Sequence, residues 1–202
     1  MEVRIARIVS YLLHPLFVPT YFTLVLLNVN TYNILLIPYE ARLLLLGLIF
    51  VITAVFPLVF ILFMKFRGMI GNLQMKNRTE RTIPFAVAGI FNFTASYMVK
   101  QIGIDDVFFL FLLGGGILIT LCLIINFYFK ISIHMAAIGG LTGALLGLSN
   151  RFQTDLLQFV LVSILVSGLV GYARLRLNAH RPYQVYSGFF CGLILFLIVI
   201  QF

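Results

Sequence analysis

The chain has 202 residues, of which 62% are hydrophobic and only 10% charged, and its net charge is +8. A soluble domain carries about 25% charged residues, so this composition excludes an ordinary water-soluble enzyme or a nucleic-acid-binding module. The positive balance is instead expected to serve loops facing anionic lipid, or an anionic substrate.

Long apolar runs follow one another from end to end. Seven reach or approach the roughly 20 residues needed to cross a bilayer core: Ile8–Leu27, Leu43–Met64, Pro84–Val99, Val107–Phe129, Ile133–Leu148, Leu156–Tyr172 and Val185–Ile200. The third and fifth are the shortest. The expected fold is therefore all-α, a polytopic integral membrane helical bundle forming one domain over residues 1–202. The apolar run after the charged N-terminus is long enough to span, and no small-residue cleavage site follows it, so no removable leader is expected. The longest polar connection is Lys65–Thr82.

Small residues at four-residue spacing mark close helix packing in lipid. Gly139, Gly143 and Gly147 show it in the fifth run, and Gly188 and Gly192 in the seventh. The Gly114-Gly115-Gly116 run is read as close packing rather than as a hinge. Cys122 and Cys191 lie inside apolar runs and are expected to be inert packing residues. No metal or disulfide framework is implied.

With seven spans, the N-terminus shares a membrane face with the connections after spans two, four and six. All 14 Lys and Arg except Arg42, Lys100 and Arg151 then lie on that face, eleven against three. The positive-inside rule puts it in the cytoplasm, and the expected address is a bacterial inner membrane. If Lys76, Arg78, Arg81, Lys130, Arg174 and Arg181 bind substrate, they report less on topology, and the remaining bias is five against three.

Three polar segments fall on this face: Lys76-Asn77-Arg78-Thr79-Glu80-Arg81, Lys130-Ile131-Ser132-Ile133-His134, and Arg174 through His180, Arg181 and Gln184. His14 lies about two turns into the first span from the same side. Any one basic residue at a span end is as readily a headgroup anchor, and a single buried histidine is usually a packing residue. Convergence of three segments suits phosphoryl chemistry better. Basic groups hold phosphate oxygens, one histidine attacks phosphorus, and another protonates the leaving oxygen. Cations that neutralise developing charge remove the need for a metal.

The third segment resembles the S-R-x5-H-x3-D signature of the type 2 phosphatidic acid phosphatase (PAP2) superfamily, with Arg174 and His180 six apart. Ser132-Ile133-His134 resembles that family's P-S-G-H, and the Lys76–Pro84 stretch its K-x6-R-P. The order of the motifs matches, and they cover just over half of the chain. The resemblance implies a metal-independent lipid phosphatase or phosphotransferase without a cofactor. In it His180 is the nucleophile, His134 the general acid, and Lys76, Arg78, Arg81, Ser132 and Arg174 hold phosphate. The implied partners are a phosphorylated lipid and the surrounding membrane lipids, with no nucleic acid; homo-oligomerisation is left open.

The departures are specific. Arg81 follows Lys76 by five rather than seven, Ile131 and Ile133 replace Pro and Gly, and Ala173 replaces Ser. Gln184 stands where the family has Asp, and Glu80 is the one carboxylate on this face expected to substitute for it, when it is not simply a salt-bridge partner within the Arg78–Arg81 cluster. Gln184 therefore also favours an alternative, a catalytically silent protein that binds or moves an anionic lipid. A solute transporter would carry polar groups near the bilayer midplane. A prenyl-transferring enzyme would need Asp-rich loops for magnesium, and this face has no Asp.

Overall fold

The computed structural model describes residues 2–29, 37–71, 75, 77–153 and 155–202. Among them, seven helical stretches are long and apolar enough to cross a membrane, as expected of a polytopic helical bundle. They are Glu2–Leu27, Tyr39–Phe66, Thr79–Ile102, Asp106–Tyr128, Ile133–Phe152, Leu157–Arg176 and Pro182–Val199. Several extend past the apolar runs at their polar ends.

Two of these spans are irregular. The first consists of α1 (Glu2–Leu12), a 3-10 turn (Pro15–Phe17) and α2 (Val18–Leu27). The break has a local cause. A residue preceding proline is pushed out of the helical region, and His14 accordingly adopts φ −70°, ψ 140°. The second span runs from α3 (Tyr39–Phe50) through a π-helical segment (Val51–Val55) into α4 (Phe56–Phe66). Pro57 has no N–H to donate, and its ring crowds the carbonyl of Thr53, so the preceding turn widens. The remaining helices are α5 (Thr82–Ile102), α6 (Asp106–Tyr128), α7 (Ile133–Phe152), α8 (Leu157–Arg176) and α9 (Pro182–Val199).

The chain forms two compact units, one of Met1–Val18 with Lys130–Phe202, the other of Pro19–Phe129. In the first, α7 is the central helix, with 13 residues buried. It packs most extensively against α9, and also against α8, while α1 lies along α8. The α7–α9 seam brings backbone onto backbone. A Cβ on Gly139 would strike the carbonyl of Phe189, and one on Gly192 the carbonyl of Ala136. One on Gly188 would come within 2.6 Å of the Ser132 carbonyl oxygen. Helices without large side chains between them gain contact this way in lipid, and here the seam fixes the N-terminal turns of α7 and α9 side by side.

In the second unit, α5 and α6 form the main pair. α6 runs unbroken through Gly114–Gly116, and Gly116 faces the ring of Phe93, in keeping with close packing there. Cys122 is buried, and neither cysteine is in a disulfide.

Candidate functional site

The first unit gathers several polar side chains where α7 and α9 begin and α8 ends. Ser132 is the N-cap of α7, but its side chain caps nothing. Its backbone N–H donates to the carbonyl of Gln184 at 3.2 Å, tying the start of α7 to the first turn of α9. Ser132 Oγ is fully buried and has no hydrogen-bond partner among the described residues. His134 follows in the first turn of α7 and is 8% exposed.

His134 is held by the broken first span. The carbonyl of Ser10 lies in the last turn of α1, where helix ends leave acceptors without an intrahelical donor. It accepts a hydrogen bond from His134 Nε2 at 3.2 Å. A carbonyl only accepts, so the His134 proton sits on Nε2 and any exchange runs through Nδ1. The ring of His14 meets that of His134 edge-on, with centroids 5.1 Å apart.

Arg174, in the last turn of α8, reaches the same place. Its Nη1 donates to Ser10 Oγ at 3.4 Å, while its buried Nε lacks a partner among the described residues. Arg174 lies within electrostatic reach of His14 and His134, and His180 within reach of His134. Two residues on, Arg176 turns outward to Glu2 with a 2.6 Å ion pair between exposed groups. Such a pair contributes little energy, yet it ties the start of α1 to the end of α8.

His180 lies in the α8–α9 connection, after Asn178 in a left-handed turn (φ 49°). Its Nδ1 is 3.1 Å from Gln184 Oε1. That oxygen also takes the backbone N–H of Arg181 at 3.1 Å, and the amide nitrogen donates to the Tyr183 hydroxyl at 3.2 Å. These partners identify the oxygen end of the amide. His180 therefore donates from Nδ1, and the neutral ring carries its lone pair on Nε2. Lys130 Nζ donates to the carbonyl of Ala179 at 3.0 Å, bracing the same connection.

Of the residues named from sequence, Ser132, His134, Arg174, His180 and Gln184 thus come together within one unit. Lys76 lies outside the described residues. Glu80, Arg78 and Arg81 belong to the other unit, where the two arginines have structural partners. Arg78 Nη1 donates to the carbonyl of Tyr128 at 2.7 Å, at the C-terminus of α6, and the backbone carbonyl of Arg78 accepts from Asn126 Nδ2 at 2.9 Å. Arg81, 5% exposed, donates from Nε to the carbonyl of Met75 at 2.8 Å. Glu80 accepts from Asn77 at 3.5 Å. The position beside His180 Nδ1 expected for a substitute carboxylate is held by the Gln184 amide itself. Ser10 and His14 join the site through the helix break, which the His-Pro dipeptide signals. No group of His, Cys, Asp and Glu among the described residues has metal-binding geometry.

No family model, curated protein or solved structure matches this chain. The functional reading rests on the residues themselves.

Proposed function

We propose that the first unit carries a phosphoryl-transfer site for a phosphorylated membrane lipid, acting through a phosphohistidine at His180 and needing no metal. The observation that carries this reading is the Gln184 clamp, whose Oε1 accepts the hydrogen bond from His180 Nδ1–H and so places the ring's lone pair on Nε2. Arg174 Nε and Ser132 Oγ supply donors for the phosphoryl oxygens. The phosphate monoanion gives its proton to His134 Nδ1, Nε2–H staying on the Ser10 carbonyl. Nε2 of His180 attacks phosphorus, the bond from phosphorus to the lipid oxygen breaks, and that oxygen takes the proton back from His134 Nδ1. Water then attacks the phosphohistidine, its proton passes through His134 Nδ1 to the phosphate, and the P–N bond breaks to release inorganic phosphate. An acceptor alcohol in place of water makes the same step a headgroup transfer. Lys76, Arg78, Arg81 and Glu80 carry no step of this reading.

Purified protein mixed with a 32P-labelled lipid phosphate, with chelator present, should yield an acid-labile, base-stable phosphoprotein. His180→Ala should abolish it. Labelling that survives this substitution refutes the phosphohistidine.

A second reading is favoured by one observation. An amide orients imidazole but does not neutralise imidazolium, and in serine proteases an Asp-to-Asn change at the analogous position costs about 10^4 in rate. Gln184 therefore also suits a protein that binds or moves an anionic lipid without turning it over. Saturable binding of the lipid phosphate with no phosphoprotein and no released phosphate would decide for it.

The proposed orientation has the N-terminus and this site facing the cytoplasm of a bacterial inner membrane, supported by the eleven-to-three charge count. A cysteine added before Met1 should resist impermeant reagents applied to intact cells, and one added after Phe202 should react. The opposite pattern would reverse the assignment.

A further inference from the structure

We propose that His14 is a binding residue of this site, donating from Nε2 to the bound phosphate, and that the break in the first membrane span exists to deliver it. The inference rests on the phosphate reading above and adds a residue that the motifs do not contain.

Three observations support it. First, the break is built around His14. A proline inside a span frees backbone groups that must find partners in an environment without water, and irregular backbone at such depth usually lines a polar site. Here the freed Ser10 carbonyl is taken by His134, and the break replaces helix with a histidine facing the site.

Second, the proton on His14 is assigned by its own turn. His14 caps the 3-10 turn, with Nδ1 accepting the backbone N–H of Leu16 at 3.4 Å. A ring nitrogen accepting a hydrogen bond carries no proton, so neutral His14 has its N–H on Nε2. It is a donor, and with Nδ1 engaged it is not the residue that shuttles a proton. That role stays with His134, whose Nδ1 is not the atom clamped by Ser10.

Third, the surrounding unmet valences are of the kind that an anion satisfies. Arg174 Nε is a donor only, Ser132 Oγ can donate, and both are buried without partners among the described residues. Buried polar groups are rarely left so. Arg174 lies within electrostatic reach of His14, and among the described residues no carboxylate makes an ion pair with Arg174. An imidazole N–H beside them completes a set of donors of the kind a tetrahedral phosphate accepts.

The test uses inorganic phosphate titrated into the purified full-length protein in detergent, followed by calorimetry, with His14→Phe, His14→Gln and wild type compared. A hydrogen bond to a charged group is worth enough that its loss should weaken phosphate binding roughly tenfold or more. His14→Phe should show that loss, and His14→Gln, which restores an N–H donor, should recover part of it. The melting temperatures of the variants separate binding from folding. If wild type binds and His14→Phe binds equally well, the role of His14 is overturned while the phosphate reading stands. If a folded wild type binds no phosphate, both fall together. If His14→Phe is unfolded, His14→Ala takes its place: a folded His14→Ala that binds phosphate roughly tenfold or more weakly than wild type supports the proposal, and one that binds as tightly as wild type overturns it.

Discussion

The two units differ in which buried polar groups lack partners among the described residues. In the unit of Pro19–Phe129, basic side chains serve backbone carbonyls: Arg78 those at the end of α6, and Arg81 that of Met75 in the connection before α5. Its unmet buried amide groups are acceptors, Asn92 Oδ1 and Asn126 Oδ1. In the other unit the unmet groups include the Arg174 Nε donor and the Ser132 hydroxyl, beside two histidines. Orphaned hydroxyls occur in both, at Thr20 and Ser187, and do not discriminate. A basic residue at a span end serves backbone carbonyls in both units, as Arg78 does for Tyr128 and Lys130 for Ala179, and Arg174 is the candidate anion ligand. Only hydrogen-bond partners tell the two roles apart.

The seams differ as well. The α7–α9 seam sets glycine against backbone carbonyls, whereas Gly116 on α6 faces the ring of Phe93, which is 39% exposed and can turn aside. Gly192→Ala should therefore have the largest effect, lowering stability by about 1–3 kcal/mol as overpacking does, measured as a fall in melting temperature. Gly116→Ala should cost clearly less. Gly168→Ala, with nothing within 4 Å of the new Cβ, should be neutral or stabilising through helix propensity. Equal losses at all three positions would erase the distinction between the seams.

Next in size, Arg174→Met should weaken phosphate binding by about tenfold or more. Arg78→Met should leave phosphate binding intact and cost about 1 kcal/mol of stability through the lost cap at the end of α6. Phosphate titration and thermal melts on the same samples read both. If Arg78→Met abolishes phosphate binding with stability unchanged, the division of labour between the units is wrong.

The smallest change sharpens the clamp. Gln184→Glu keeps the side-chain length that places Oε1 3.1 Å from His180 Nδ1 and supplies a charge that favours imidazolium. Phosphoprotein formation should quicken modestly. An aspartate at this position would be one methylene shorter and reach less well. Slower formation with Glu would mean that His180 works best against a neutral amide.

Much of the fold was legible because hydropathy alone marks spans: all seven runs became helices. Their ends were not. Thr79–Ile102 outruns the expected Pro84–Val99 because hydropathy stops at Arg81 and Lys100 while helical hydrogen bonding does not. The first span reads as one apolar run, and its interruption is announced only by the residue pair His14-Pro15, a stereochemical signal rather than a hydropathic one. At the site, Ser132, His134, Arg174, His180 and Gln184 could be named from motif residues. The parts played by Ser10 and Arg78 could not, because each acts through a partner more than 45 residues away in the chain.

The π-helical turn at Val51–Val55 has a consequence for chain length. It accommodates one residue more than an α-turn would. Faces assigned by a continuous 3.6-residue count from Tyr39 are therefore out of step by one residue, about 100°, beyond Val55. The same surplus makes this segment the place where the second span can lose a residue most cheaply. Deleting Ile52 together with Pro57→Ala, which removes the cause of the bulge, would convert it to ordinary α-helix and keep the rest of Phe56–Phe66 on its present face, whereas a deletion within Phe56–Phe66 itself would rotate everything that follows it.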